Sequence, residues 1–251
     1  MPAPVQATVT NRLLSLMPPG DFALLAPQLR RVELSRGFVL AQPDVTIEHV
    51  YFVERGVVSM VAVSPEGNEV EAGLVGPEGF ASTAPLLGAD TTPNLINAQL
   101  PGDAWRMERP AFMAAINESA TLRDLLQRFL QTLIVQTTYT ALSNAVHPIE
   151  ERLARWILMC DDRVTTGEIN LTHHFMSVML AVRRPSVTTA LHVLEGNGFI
   201  RAERGCIVLR NRAAMEQFAA DSYGRPEEAY RRLIGEMKPP LGHGRLGRSP
   251  M

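Results

Sequence analysis

Two adjacent arginines, hydroxyl side chains and an imidazole stand at the start of a short predicted helix, in the stretch VRRPSVTTALHVLEGNGFI (residues 182–200). Val187, Leu191 and Leu194 recur at helical spacing, so one face of this helix is expected to be buried. Pro185 is tolerated in a first helical turn, where a backbone N–H has no intrahelical partner. The opposite face then carries Arg183, Arg184, Ser186, Thr188, Thr189 and His192.

The chemistry that suits this face is recognition of a polyanion. A helix N-terminus attracts phosphate, and an arginine fork can bond both acceptors on a guanine edge. Arg184 is the predicted base-reading residue, Arg183 and Ser186 are predicted phosphate contacts, and Thr189 could touch a thymine methyl group. The alternative interpretation is an ordinary solvated helix face with surface arginines.

The flanking sequence indicates how this helix is held. LTHHFMSVMLAV (171–182) has Phe175, Val178, Met179 and Val182 at helical spacing, and FIRAERGCIVLRN (199–211) reads as a β-hairpin around Arg204-Gly205. Two short helices joined by a tight turn and followed by a hairpin form a winged helix-turn-helix, which places its second helix in the DNA major groove. Gly196 or Gly198 is expected to end that helix.

Residues 32–107 contain short β-rich runs separated by turn residues, a pattern typical of an antiparallel sandwich or roll. Gly37, Gly56, Gly67 and Gly79 lie between the runs, where positive φ is most often needed. SPEGNE (64–69) reads as a hairpin tip.

Residues 120–146 contain no glycine or proline, which predicts one long helix ending before His147-Pro148. One set of residues in this helix recurs in alternating steps of four and three, which is the spacing of a helix-pairing seam. A second face of the helix is also apolar and carries Leu125, Leu130 and Ile134. A two-fold partner is the preferred explanation, and a core helix of a single domain is the alternative. The predicted seam comprises Leu122, Leu126, Phe129, Leu133 and Gln136, continuing through Thr140 and Ser143.

Composition narrows the class of protein. The chain has 251 residues, a formal net charge of −2 and two cysteines, which argues against a disulfide scaffold and fits a cytoplasmic location. Neither a leader nor a membrane span of about 18 apolar residues is predicted. The C-terminal half is the more basic one, which permits a nucleic-acid partner there without requiring one.

Taken together, these motifs resemble the Crp-Fnr family of transcription regulators over roughly residues 20–220. The resemblance implies an α+β fold with an antiparallel β-roll (jelly-roll) sensor domain, a long dimerisation helix and a C-terminal winged helix-turn-helix. The implied division is 1–119 for a cyclic-nucleotide-binding-like roll, 120–147 for the dimerisation helix and 148–220 for the DNA-binding domain. Residues 221–251 form a C-terminal extension whose end, from Lys238, is expected to be disordered.

In the roll, Gly76 and Glu78 resemble the first segment of the family's phosphate cassette. The second segment, which should read Arg-Ser, reads Thr92-Pro93, so cyclic AMP is not the expected ligand. Thr137 and Thr138 stand where cyclic-AMP-responsive members use hydroxyls of the dimerisation helix to contact the base. The resemblance therefore allows an unknown small-molecule effector in the same cavity. No cofactor is identified. The N-terminal cysteines that would hold an iron-sulfur cluster are missing, since no cysteine precedes Cys160. Haem binding stays an open alternative, because His49 lies in the roll.

The resemblance also implies a homodimer that binds double-stranded DNA at an inverted repeat, with RNA polymerase as a further partner. Arg184 matches a family reader, whereas Pro185 and Thr189 replace two others, so a different operator is expected. Ala181 replaces the family's turn glycine, which predicts a regular turn without positive φ.

Two other classes of function compete with this one. The first is a sensing protein whose C-terminal domain binds protein instead of DNA. Its binding affinity would depend little on salt concentration. A β-roll enzyme or metal protein of the cupin type needs several histidines on neighbouring strands, and the roll has one. No catalytic residue and no metal site is predicted, since Ser64 and Ser82 have no nearby histidine and His173-His174 are poorly placed to share an ion.

Overall fold

The computed structural model describes residues 3–164, 167–203 and 205–237. A six-stranded antiparallel sheet forms the N-terminal roll, with the order β1-β6-β3-β4, β2 on β6 and β5 on β3. Its strands are β1 (Arg30–Leu34), β2 (Val39–Ala41), β3 (His49–Val63), β4 (Glu69–Val75), β5 (Phe80–Ala81) and β6 (Asn94–Glu108).

The turn residues of the roll act in two ways. Gly37, Gly56 and Gly67 have positive φ as predicted, and the 64–69 hairpin tip connects β3 to β4. Gly79 is not among the glycines with positive φ. A Cβ there would lie 2.1 Å from the ring of Phe129, so this glycine is needed for close packing.

Helices enclose the roll and lead out of it. They are α1 (Arg12–Leu16), α2 (Pro19–Leu25), α3 (Arg109–Glu118) and α4 (Ala120–Val146). The hydroxyl of Ser119 caps α4 by accepting from the backbone N–H of Leu122 at 3.1 Å. His147, which precedes Pro148, is extended and ends the helix. Both ends of this helix therefore agree with the sequence-based prediction.

The C-terminal half contains the predicted helix-turn-helix and wing. It comprises α5 (Ile149–Asp161), β7 (Glu168–Asn170), α6 (His173–Met179), α7 (Arg184–Gly196), β8 (Ile200–Glu203), β9 (Cys206–Leu209) and α8 (Arg212–Ala219). The three strands form a separate antiparallel sheet in the order β7-β9-β8. Across the described ranges, no helix combines the length and the apolar content needed to cross a bilayer.

The C-terminal extension contains a helix that the sequence analysis did not predict, α9 (Arg225–Leu233), after a 3₁₀ turn at Ala220–Ser222. Its signals are present in the sequence. Pro226 stands in the first turn with Glu227 and Glu228, and two arginines occupy the last turn, which suits the helix dipole. The predicted disorder from Lys238 onward concerns residues outside the described part.

Two clusters of buried apolar side chains form the interior. The first fills the roll and includes the leucines of α4. The second belongs mainly to the C-terminal half, from α5 onward, but it also takes in Val57, Val61, Leu74 and Leu100 from the roll. The two halves thus share buried apolar surface, and their division into separate folding units stays a prediction.

Candidate nucleic-acid interface

The start of α7 presents the predicted polar face to solvent. Val187, Ala190, Leu191 and Leu194 are buried beneath it, as their helical spacing predicts. Arg183, Arg184, Thr189 and His192 are exposed, whereas Ser186 and Thr188 are half-buried. Arg183 is the residue that precedes the helix, and Pro185 lies in the first turn. The exposed residues therefore form one cationic, hydrogen-bonding surface at the helix N-terminus.

Hydrogen bonds orient the hydroxyls of this surface. Thr188 is paired with Nδ1 of His173 in α6 at 3.1 Å and also donates to the carbonyl of Arg184. Thr189 donates to the carbonyl of Pro185 at 3.2 Å, so its methyl group is held in a restricted range of directions. The contact between His173 and Thr188 links the first helix of the motif to the second.

The turn between α6 and α7 corrects one prediction. Ala181 has a φ of 50°, in the left-handed region, whereas the sequence analysis expected a turn without positive φ. The backbone of Ala181 donates to the carbonyl of Val178, and Val182 donates to that of Ser177. The turn keeps the geometry that glycine accommodates best, and alanine adopts it at a cost.

The carboxylate of Glu78, predicted to line a ligand pocket, has partners within the chain. Its Oε1 accepts from Nε of Arg163 at 2.7 Å, and both side chains are almost fully buried. Its Oε2 accepts from the backbone of Gly76 at 3.0 Å. A Cβ at Gly76 would lie 2.8 Å from Cγ of Arg163, so this glycine makes room for the arginine. Both carboxylate oxygens are thus bonded within the chain, and a role for Glu78 in ligand binding stays a prediction.

The three threonines assigned to a ligand pocket have local partners. Thr137 and Thr138 both donate to the carbonyl of Ile134 in their own helix, at 2.9 Å. The hydroxyl of Thr92 accepts from the backbone N–H of Asn94 at 3.2 Å. None of these three bonds joins them to Gly76 or Glu78, and their role in ligand binding stays a prediction.

A small cavity lies inside the roll. Its volume is about 10 Å³, and its lining is apolar except for Ser82 and Thr83. That volume holds about one water molecule. Ser82 has a φ of 62°, and its buried hydroxyl lacks a hydrogen-bond partner among the described residues.

The five seam residues of α4 face their own chain. The side chains of Leu122, Leu126, Phe129 and Leu133 are buried in the core of the roll. The amide of Gln136 brackets the backbone of Leu74, accepting from its N–H at 2.6 Å and donating to its carbonyl at 3.2 Å. These side chains are not accessible to a partner helix in this structure, which corrects the predicted seam. A different stripe is exposed instead, at Gln127, Gln131, Ile134, Thr138, Ala141 and Ala145.

Comparison with family models places both halves of the chain. Residues 31–119 match the cyclic nucleotide-binding domain, and residues 151–218 match the Crp-like helix-turn-helix domain. The two matches cover more than half of the chain in the order that the resemblance predicted. The chain belongs to the Crp-Fnr family. No curated protein sequence matches it.

Solved structures of Crp-Fnr proteins share the fold. A family member from Eubacterium rectale superimposes with a TM-score of 0.65 at 16% identity, covering 84% of this chain and 98% of its own. FixK2 from Bradyrhizobium japonicum gives 0.65 at 18%, covering 76% and 98%. A Crp-Fnr regulator from Thermus thermophilus gives 0.59 at 21%, with the same coverage. The predicted family and fold class are confirmed.

Membership defines the function at a coarse level. The Crp-Fnr family consists of transcription regulators that bind DNA, and the chain is therefore a DNA-binding regulator and not an enzyme. The order of the antiparallel sheet, the long helix and the helix-turn-helix described above agrees with this family.

Buried polar contacts around Glu71, which were not predicted from the sequence, join the two halves. Trp156 donates from Nε1 to Oε1 of Glu71 at 2.9 Å, and Ser59 donates to Oε2 at 2.6 Å. Burial raises the pKa of Glu71 to about 8, although its two hydrogen bonds and the nearby Arg155 and Arg163 act in the opposite direction. The signal in the sequence was an acidic residue among the apolar and small residues of this strand.

Proposed function

We propose that this protein regulates transcription as a homodimer that binds an inverted-repeat operator, in the cytoplasm, without requiring cyclic AMP. One observation carries the proposal: α7 buries its apolar face and exposes Arg183 and Arg184 at its N-terminal turn. In a helix-turn-helix, the N-terminal residues of this second helix are the ones that reach base edges.

Each exposed residue has a proposed role in that complex. Arg184 reads a guanine edge, because it lies in the first turn of a helix whose N-terminal residues reach base edges, and its fork matches the two guanine acceptors. Arg183 and the half-buried Ser186 contact phosphates, and Thr189 packs on a thymine methyl group. Thr188 and His192 complete the contact surface. A dimer would place two such helices about one DNA turn apart.

The exposed stripe of α4 supports the proposed dimer. Its six residues alternate in steps of four and three, the spacing of a two-stranded helix seam. Ile134 is 48% exposed, and the nearby Leu142 and Val146 are 45% and 62% exposed. Pairing two copies of α4 would bury this apolar surface.

The interior of the roll supports independence from cyclic AMP. The cavity beside Ser82 holds about one water molecule, and the described residues that line it include no cation that could neutralise a phosphate. Glu78 is paired with Arg163. Two further predictions belong to this proposal. One is an effector other than cyclic AMP, and the other is RNA polymerase as a partner of the dimer.

The proposal is tested by selection from random duplex DNA with the wild type, Arg184→Ala and a control, Arg128→Ala. Arg128 is an exposed arginine of α4, outside the DNA-binding half. The wild type and the control should enrich the same inverted repeat, with or without added cyclic AMP. Arg184→Ala should lose one guanine preference in each half-site and bind about tenfold to a hundredfold more weakly.

The selection also separates the competing class of function. A C-terminal domain that binds protein would enrich no sequence, and any residual DNA affinity would lack a steep dependence on salt. An inverted repeat whose guanine preference survives in Arg184→Ala would remove Arg184 as the reader while keeping the regulator.

A further inference from the structure

The C-terminal extension crosses from the DNA-binding half to the roll. We call residues 220–237 the strap. Its helix α9 packs along α4 and buries Pro226, Glu227, Ala229 and Tyr230. Beyond the helix, Ile234 and Met237 pack against the core of the roll. Nε of Arg12, near the N-terminus, donates to the carbonyl of Glu236 at 2.9 Å.

Tyr230 anchors the strap. Its side chain is 1% exposed and belongs to the core of the roll. Its hydroxyl donates to the carbonyl of Glu78 at 2.7 Å. The carboxylate of the same Glu78 accepts from Arg163, which lies two residues beyond the end of α5 in the DNA-binding half. One residue of the roll is thus held from two sides, by the strap and by the DNA-binding half.

Further buried contacts join the same two halves. Glu71 of β4 accepts from Trp156 of α5, and Arg155 of α5 donates to the hydroxyl of Thr140 in α4 at 3.1 Å. Leu74 and Leu100 of the roll belong to the apolar core of the DNA-binding half. Domains joined by buried apolar contacts and by hydrogen bonds such as these do not swivel freely, unlike domains that meet over a small polar surface.

The held arrangement leaves the recognition surface open. Arg183, Arg184, Thr189 and His192 are exposed while the contacts around Glu78 and Glu71 are complete. The roll packs instead against the C-terminal part of α6, where the hydroxyl of Ser59 approaches Sδ of Met179 at 3.9 Å.

From this geometry we infer that the strap, anchored by Tyr230 on Glu78, holds the DNA-binding half in one preset orientation on the roll. We further infer that this orientation is the one that binds DNA, so that no small molecule is required to create it. The first statement stands on the intramolecular contacts alone, and the second rests on the proposed function.

The first statement is tested by measuring one distance within the chain. Spin labels are attached at Asp90→Cys on the roll and Gln217→Cys on α8, both exposed positions, in a Cys206→Ser background with Cys160 buried. Labelled protein is diluted with an excess of unlabelled protein so that only distances within one chain are recorded. Without ligand or DNA, the wild type should give a single narrow distance distribution.

Three variants decide whether the strap is responsible. Tyr230→Ala should broaden the distribution, and Tyr230→Phe, which removes only the hydroxyl, should broaden it less. Tyr51→Phe is the matched control, because Tyr51 is a buried tyrosine of β3 whose hydroxyl has no hydrogen bond to a side chain or backbone group within the described ranges. A broad distribution in the wild type, or a folded Tyr230→Ala variant with an unchanged distribution, overturns the inference. If Tyr230→Ala does not fold, an unchanged distribution in Tyr230→Phe overturns it.

The second statement is tested on the selected operator. A variant with a broadened distribution spends less time in the binding orientation, so its operator affinity should fall about threefold to tenfold. Unchanged or tighter binding by such a variant shows that the held orientation is not the binding one. If the wild type selects no operator, the proposed function fails, whereas the distance measurement still decides the role of the strap.

Discussion

At the scale of single residues, Glu78 stands at a motif position of the family and makes its contacts within the chain. Glu78 lies two residues after Gly76, as in a phosphate cassette, yet its carboxylate accepts from Arg163 and its carbonyl accepts from Tyr230. A buried carboxylate needs a partner, and here that partner comes from another part of the chain instead of from a ligand. A local motif therefore identifies the fold of the roll more securely than it identifies its ligand.

Ala181 provides a prediction about backbone strain. A left-handed conformation costs a residue with a Cβ about 1–2 kcal/mol, and glycine is free of most of this cost. Ala181→Gly should therefore raise the free energy of unfolding by about 0.5–1 kcal/mol, after the larger entropy of the unfolded glycine is allowed for. The measurement is chemical denaturation of both proteins under the same conditions.

The control for this prediction is Ala114→Gly, at an exposed position in the middle of α3. Glycine within a helix should lower the free energy of unfolding by about 0.5–1 kcal/mol. Equal destabilisation at the two positions would show that the turn does not hold Ala181 in a left-handed conformation.

At the scale of elements, α4 shows that one helix can have two different seams. Its leucine seam packs into the roll, and Gln136 is bonded to the backbone of β4. Its exposed stripe is poorer in large apolar residues, with glutamine, threonine and alanine around Ile134. Small residues on such a stripe would let two helices approach closely.

The exposed stripe is tested with Ile134→Glu. A glutamate at the centre of a helix pair would bring two negative charges together in a desolvated seam, so the variant should sediment as a monomer where the wild type sediments as a dimer. Analytical ultracentrifugation gives both masses. Val45→Glu, at a 52% exposed position on the roll, is the control and should leave the dimer intact. A dimeric Ile134→Glu variant would place the interface elsewhere.

At the scale of the whole molecule, the two halves meet through titratable groups that have been removed from water. The pKa of Glu71 is raised to about 8 mainly by burial, whereas an unfolded glutamate titrates near 4.5. Between these values the folded chain holds a proton that the unfolded chain releases, so this group's contribution to stability is lost as the pH rises. The groups that face it are Ser59, Trp156, Arg155 and Arg163.

This linkage predicts a pH dependence that one substitution removes. Relative to Glu71→Gln, the wild type should lose about 2 kcal/mol of unfolding free energy between pH 6 and pH 7.5, since each pH unit corresponds to about 1.4 kcal/mol. Urea denaturation at both pH values gives the comparison. Glu69→Gln, an exposed neighbour on the same strand, should retain the wild-type dependence. Parallel pH profiles for wild type and Glu71→Gln would contradict the buried, protonated state.

What the sequence determined by itself was local in origin. The bounds of α4, the hairpin at 64–69 and the amphipathic face of α7 depend on turn residues, capping residues and periodicity, which act within a few positions. The order of these elements was enough to indicate the fold and the family. The helix in the extension could equally have been predicted, from Pro226 in its first turn and from the charges at its two ends.

Only the tertiary structure decided which partners those elements meet. Arg163 and Tyr230 lie 85 and 152 residues from Glu78, and no local pattern relates such positions. Periodicity showed that α4 has apolar faces, but it could not show which face the roll would cover. Burial creates the demand for a partner, and the partner is supplied by whichever segment the folded chain brings alongside, which is a property of the whole molecule.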